Sequence, residues 1–141
     1  MKDMNLLEAM ERIVALAKGS GLSDEFYNKA DEYICFIADK LQLSKEQSVM
    51  LALFIDKSDS RNIHASDIAE FLQCTTIQII KCMNDVDQLV RREYILKRED
   101  ERQLAFRVPT DVIESLTNNE AFVVKAETNL SATELMMELE E

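Results

Sequence analysis

Between Ile63 and Val108 the hydrophobic period of this chain changes, and that change restricts its fold more than any other feature. A short helical segment, Ser66-Asp67-Ile68-Ala69-Glu70-Phe71-Leu72, is followed within three residues by a second with apolar positions Ile77, Ile80, Met83, Val86 and Val90. That second helix runs into Arg91-Arg92-Glu93-Tyr94-Ile95, after which the pattern alternates as it does in a strand. Tyr94 to Arg98 and Gln103 to Val108 read as two strands joined by Glu99-Asp100-Glu101-Arg102. With no glycine at that tip, the expected connection is a four-residue loop, not a two-residue primed turn. Pro109 closes the second strand, because it has no N–H to donate to a ladder.

The residues before this segment read as helices. From Asn5 to Ala17 the apolar positions Leu6, Met10, Ile13 and Ala17 share a face, widened by Leu7 and Val14, and Gly19-Ser20-Gly21 ends the run. Ser23 caps a second helix, with Asp24 and Glu25 at its positive end and Leu22 and Tyr27 at the staple positions. Its stripe is Phe26, Ala30, Tyr33, Ile34, Ile37, Ala38 and Leu41. Ser44 and Gln47 form a capping box for a third helix. There Val49, Met50, Leu51, Leu53, Phe54 and Ile55 leave almost no polar face, which places this helix at the buried centre. Asp56 to Asn62 is a polar connector, and Ile63 is expected as a brief strand beside the later hairpin.

Beyond the hairpin, Thr110-Asp111 opens a short helix through Leu116, stopped by Thr117-Asn118-Asn119. In the tail, Ser131-Ala132-Thr133-Glu134 is a capping box with Leu130 and Leu135 at the staple positions. The helix it opens is still running at Glu141 and is expected to continue past it.

A chain of 141 residues can bury one core plus a helical layer. Cys35, Cys74 and Cys82 show no paired spacing and His64 is the single histidine, so buried thiols are expected and a metal site is not. No apolar run approaches the roughly 20 residues of a spanning helix, and the first residues lack a signal-peptide core, so a cytosolic chain without a membrane partner is expected. Asn129-Leu130-Ser131 matches a glycosylation sequon that such a chain would not use. The two glycines end a helix instead of forming a phosphate loop, and neither HExxH nor GxSxG occurs. His64 is expected in a helix-cap region, and Glu138, Glu140 and Glu141 on a solvated face. No catalytic residue, cofactor or metal is therefore expected, and an enzyme confined to these residues is set aside.

The net charge of −11 opposes general coating of DNA, because non-specific affinity comes from neutralising phosphates. Residues 75–107 nevertheless carry +1, against −4 for residues 1–60 and −7 for residues 108–141. The candidate contacts fall there. On the second motif helix they are Thr75, Thr76, Gln78 and Lys81, with Asp85 and Asp87 opposing phosphate farther along. At the helix end and hairpin they are Arg91, Arg92, Lys97, Arg98 and Arg102, with Arg107 adding to the same footprint. Glu93, Glu99, Asp100 and Glu101 lie among these cations, so a mixed-charge surface with cross-strand pairs is the competing reading. Ile77, Ile80, Met83, Val86, Leu89, Val90 and Leu104 are assigned to the core.

The segments HASDIAEFLQC, TTIQIIKCMNDVDQLVRREYI and LKREDERQLAFRV resemble the winged-helix superfamily, with Ser44 to Lys57 as the scaffold helix before the motif. The resemblance implies a mainly α fold with a small β-hairpin: a winged helix-turn-helix preceded by two helices and followed by a C-terminal helical tail. The expected organisation is a helical pair at 1–43, the winged helix-turn-helix at 44–117 and an acidic tail at 118–141. The whole chain is also similar in layout to the N-terminal region of certain bacterial AAA-type ATPases. That would place the ATP-binding loop beyond Glu141 and make these residues a recruiting domain. Two readings follow. One is a non-catalytic module that docks a downstream ATPase module or protein partner through an acidic helical surface, with a homo-oligomer among its options. The other is a regulator that binds double-stranded DNA through the second motif helix and wing.

Overall fold

The computed structural model describes the backbone of residues 5–58, 62–100 and 103–120, and the side chains of these residues except 99–104. Three helices come first: α1 (Leu6–Ala17), α2 (Asp24–Leu41) and α3 (Lys45–Asp56). Each begins on a polar cap that satisfies an otherwise orphaned N–H. The Asn5 side chain accepts from Glu8 N at 2.8 Å, and the Ser23 hydroxyl from Phe26 N at 3.3 Å. The capping box of α3 closes in both directions at 3.1 Å, between Gln47 N and Ser44 Oγ and between Ser44 N and Gln47 Oε1.

Residues 48–54 of α3 are all buried. A helix apolar on every side needs neighbours on every side, and α1, α2 and a later helix, α6 (Met83–Arg91), supply them. Ser48 is tolerated among these residues because its hydroxyl donates to Ser44 O at 2.9 Å.

The motif itself runs β1 (Ile63–His64), α4 (Ala65–Leu72), α5 (Thr76–Lys81), α6, β2 (Leu96–Asp100) and β3 (Gln103–Arg107), and α7 (Thr110–Thr117) follows. The strands form one antiparallel sheet in the order β1-β3-β2, with Ile63 opposite Phe106 and Leu96 opposite Arg107. Phe106 meets Phe54 edge-to-face at 5.3 Å, which fastens the sheet to α3. The turn between α1 and α2 holds the other end of the motif. Gly19 N and Gly21 N, both at positive φ, donate to Phe71 O and Leu72 O in the last turn of α4 at 3.0 and 2.8 Å. This architecture is a winged helix-turn-helix: α4 and α5 joined by a left-handed Gln73, then a hairpin wing with β1 completing its sheet. Among the described residues, no helix is long and apolar enough to cross a membrane.

Several expectations are corrected. The second motif helix is two helices, broken at Cys82, whose φ of −90° and ψ of 2° leave helical space. Ile77 and Ile80 are not core residues; they are 66% and 57% exposed, while Ile79, Val86 and Leu89 are buried. The reason is phase. Within α5 each residue turns the helix by about 100°, so Ile77 points roughly 160° away, and Ile80 about 100° away, from the buried Ile79. The wing is tighter than expected, since Asp100 pairs with Gln103 and leaves two residues between the paired ends instead of four. Tyr94 and Ile95, expected to begin the first strand, are fully buried before β2 begins at Leu96. Cys35 is exposed, and Cys74 and Cys82 are partly buried, so no cysteine has the fully buried setting expected. The expected tail helix at 131–141 and the side chain of Leu104 lie outside the described residues.

Two interactions lock α6 in place. The guanidinium of Arg92 donates to Gln42 O at 2.5 Å and Leu41 O at 3.0 Å, bridging the end of α6 to the left-handed C-cap of α2. It also lies 5.8 Å from the Tyr94 ring centre. Against α6 the electrostatics are less favourable. Burial, and then Glu46, push the Asp85 carboxyl above its ordinary range. Burial, then Glu46, Cys82 and Asp85, push the Tyr27 phenol up to about 12.

Removing the Arg92 fork in Arg92→Ala should cost about 1–2 kcal/mol in urea unfolding at unchanged m, and Arg92→Lys should recover only part, because an ammonium cannot fork. For Asp85 the raised folded-state pKa means that ionisation opposes folding at neutral pH. Relative stability is fully present below the ordinary carboxylate range and is lost as pH rises through the raised value. Asp85→Asn should therefore raise Tm at pH 7, with the gain disappearing below about pH 4.

Candidate nucleic-acid interface

In a helix-turn-helix the second helix is the one offered to a ligand, and here α5 takes that place. Thr75 is its N-cap, and its Oγ1 accepts from Gln78 N at 3.1 Å. The cap uses hydrogen-bonding capacity that a base contact would otherwise draw on. Gln78 is half-buried. Thr76 and Lys81 are exposed, and so are Ile77 and Ile80, whose spacing alone suggests the core. Of the four candidates on this helix, Thr76 and Lys81 are thus the two whose side chains face solvent without serving as a cap.

The candidate cations divide by environment. Arg91 is exposed in the last turn of α6. Arg92, through its bonds to Leu41 and Gln42, is committed to holding the fold. Lys97 Nζ lies 3.8 Å from Asp87 Oδ1, a half-exposed pair that ties β2 to α6. Such a surface pair is worth about 0–1 kcal/mol, so a phosphate can displace the carboxylate. Arg98 on β2 and Arg107 on β3 are exposed. Arg102 lies outside the described residues.

Beside α5 lies a groove of about 510 Å³, lined by His64, Ala65, Ser66, Thr76, Ile80, Met83 and Phe106. Its floor is mostly apolar, and it joins the N-terminus of α4 to the sheet. His64 is the N-cap of α4; its backbone N–H donates to Asp67 Oδ2 at 2.9 Å, and Nδ1 is 3.6 Å from the same oxygen. That geometry matches the cap-region role expected for it. A second hollow, about 570 Å³, lies where Leu7, Val14, Ile55 and Asn119 meet. Among the described residues, no group of three or more His, Cys, Asp or Glu could hold a metal ion. What the surface offers is contact: aliphatic side chains on α5, with cations behind them on α6 and the wing.

No protein-family model matches the chain, and no curated protein does. Among solved structures, a point mutant of MepR from a multidrug-resistant S. aureus clinical isolate is similar, with 18% identity and a TM-score of 0.47. The match covers 74% of this chain and 75% of that one. The winged-helix architecture stands on the element order, register and burial given above.

Proposed function

We propose that the chain is a non-catalytic winged-helix module that binds double-stranded DNA, with α5 in the major groove and the wing along the backbone. The observation that carries the reading is the outward face of α5. Thr76, Ile77, Ile80 and Lys81 are all exposed on the helix that this architecture presents, and Arg91, Lys97, Arg98 and Arg107 are exposed at the end of α6 and on the hairpin. With a net charge of −11, such binding is local and orientation-dependent instead of a general attraction.

A second reading is favoured by the apolar groove beside α5, where Ala65, Ile80, Met83 and Phe106 suit a protein segment better than a phosphate. On that reading the chain is the partner- or substrate-recruiting domain of a larger bacterial AAA-type ATPase. A phosphate-binding loop in the reading frame past Glu141, and capture of that downstream region by this chain, would favour it over DNA.

Fluorescence anisotropy with duplex DNA over a salt series tests the first reading. Affinity should fall steeply with salt. Lys97→Glu together with Arg98→Glu should weaken binding and flatten the log–log slope by about 2, near 0.9 for each phosphate left without its cation. Unchanged affinity and slope in that variant would remove the wing from the interface.

A further inference from the structure

Ile77 and Ile80 are exposed β-branched residues in a helix, a placement that folding does not ask for. The core contact of α5 is made by Ile79, which is fully buried, while Ile77 and Ile80 are 66% and 57% exposed. Isoleucine is a weaker helix former than alanine or lysine, so at solvent-facing positions it gives the helix nothing that a polar residue would not. Three residues apart, the two side chains stand next to each other, offset by about 60° around the helix. Thr76, with its own methyl group, precedes them, and Lys81 follows. The turn of helix just after the Thr75 cap therefore shows a patch that is aliphatic, with a cation at its C-terminal edge.

Resting on the DNA reading above, we infer that Ile77 and Ile80 read thymine, so that the module prefers duplexes presenting thymine C5-methyl groups in the major groove. Among the base edges of unmodified DNA, the chemistry narrows to this partner. An isoleucine side chain neither donates nor accepts a hydrogen bond, so it gains nothing from the N7, O6, N6 or N4 atoms of the base edges. The methyl group of thymine is the aliphatic feature the major groove of unmodified DNA displays. Lys81 beside the pair, and Arg91, Lys97 and Arg98 beyond it, supply phosphate attraction that holds the helix in the groove without choosing a sequence. Gln78, half-buried, is less able to add a hydrogen-bonded choice of base, which leaves apolar contact as the main discriminator.

The test compares duplexes that differ only in that methyl group. Anisotropy is measured at one salt concentration with an A·T-rich duplex, the same duplex with deoxyuridine in place of thymidine, and a G·C-rich duplex with and without 5-methylcytosine. The parent chain should bind the thymine duplex about fourfold more tightly per contacted methyl than the uracil duplex, and cytosine methylation should raise affinity. In Ile77→Ala with Ile80→Ala both preferences should vanish while the salt dependence stays at the parent value, since the phosphate contacts remain. Both positions are exposed, and an unchanged circular dichroism spectrum confirms that this variant folds. DNA binding with equal affinity for thymine and uracil duplexes overturns the inference while leaving the DNA reading standing, as does a preference that survives in the double variant. Absence of binding to every duplex overturns both. Self-association in sedimentation that the double variant abolishes, with duplex affinity unchanged, assigns the isoleucines to a protein contact and also overturns the inference.

Discussion

Burial of α3 on all sides is the constraint from which the arrangement of this molecule follows. With residues 48–54 buried, the helix is satisfied only if α1, α2 and α6 each cover part of it, and Phe54 at its end fixes Phe106 of β3. The contact surface is built on elements that this helix positions. α6 packs directly on α3, and the wing is fastened to α3 through Phe106 of β3. α5 is six residues long, too short to persist alone, and it is carried by its neighbours instead of contributing much to the core. That is why its outer face is free to vary in chemistry without cost to the fold.

Much of this was legible in the sequence, because local rules and tertiary demands agreed there. The Ser44–Gln47 box, the Ser23 cap, the stripe of α2 and the lack of a polar face on α3 all rest on spacings of three or four residues, and each is present. The strand at Ile63 also followed, since an apolar residue between a polar connector and a helix has few other places to go. What failed was phase. Stepping by three residues from Ile77 through Ile80 and Met83 to Val86 drifts by about 60° per step even in an unbroken helix, and the break at Cys82 interrupts the run as well.

The remaining differences have longer-range causes. Nothing near Arg92 in the chain announces its structural role, since its acceptors, Leu41 O and Gln42 O, are about fifty residues away in sequence. At the wing the ladder runs from Leu96–Arg107 to Asp100–Gln103, so two residues and not four separate its last pair, a register that the alternating pattern alone does not set. Of the candidate cations, the structure leaves Arg91, Arg98 and Arg107 exposed, gives Lys97 a weak partner and commits Arg92 to the fold.

This division bears on how the surface could recognise anything. A protein of net charge −11 feels repulsion from DNA that is damped only beyond a Debye length of about 8–10 Å, and a few cations at the wing cannot reverse it at a distance. Affinity then has to come from contacts made after approach, in which the wing cations meet phosphates in a salt-dependent way and desolvated apolar groups add a share that salt changes little. Two adjacent isoleucines on the presented helix, with methionine and phenylalanine in the groove beside them, supply such contacts whether the partner is a methyl-bearing base edge or a protein segment. On the proposed DNA reading, the chemistry of α5 sets the selectivity of the module, and the hairpin cations set its orientation.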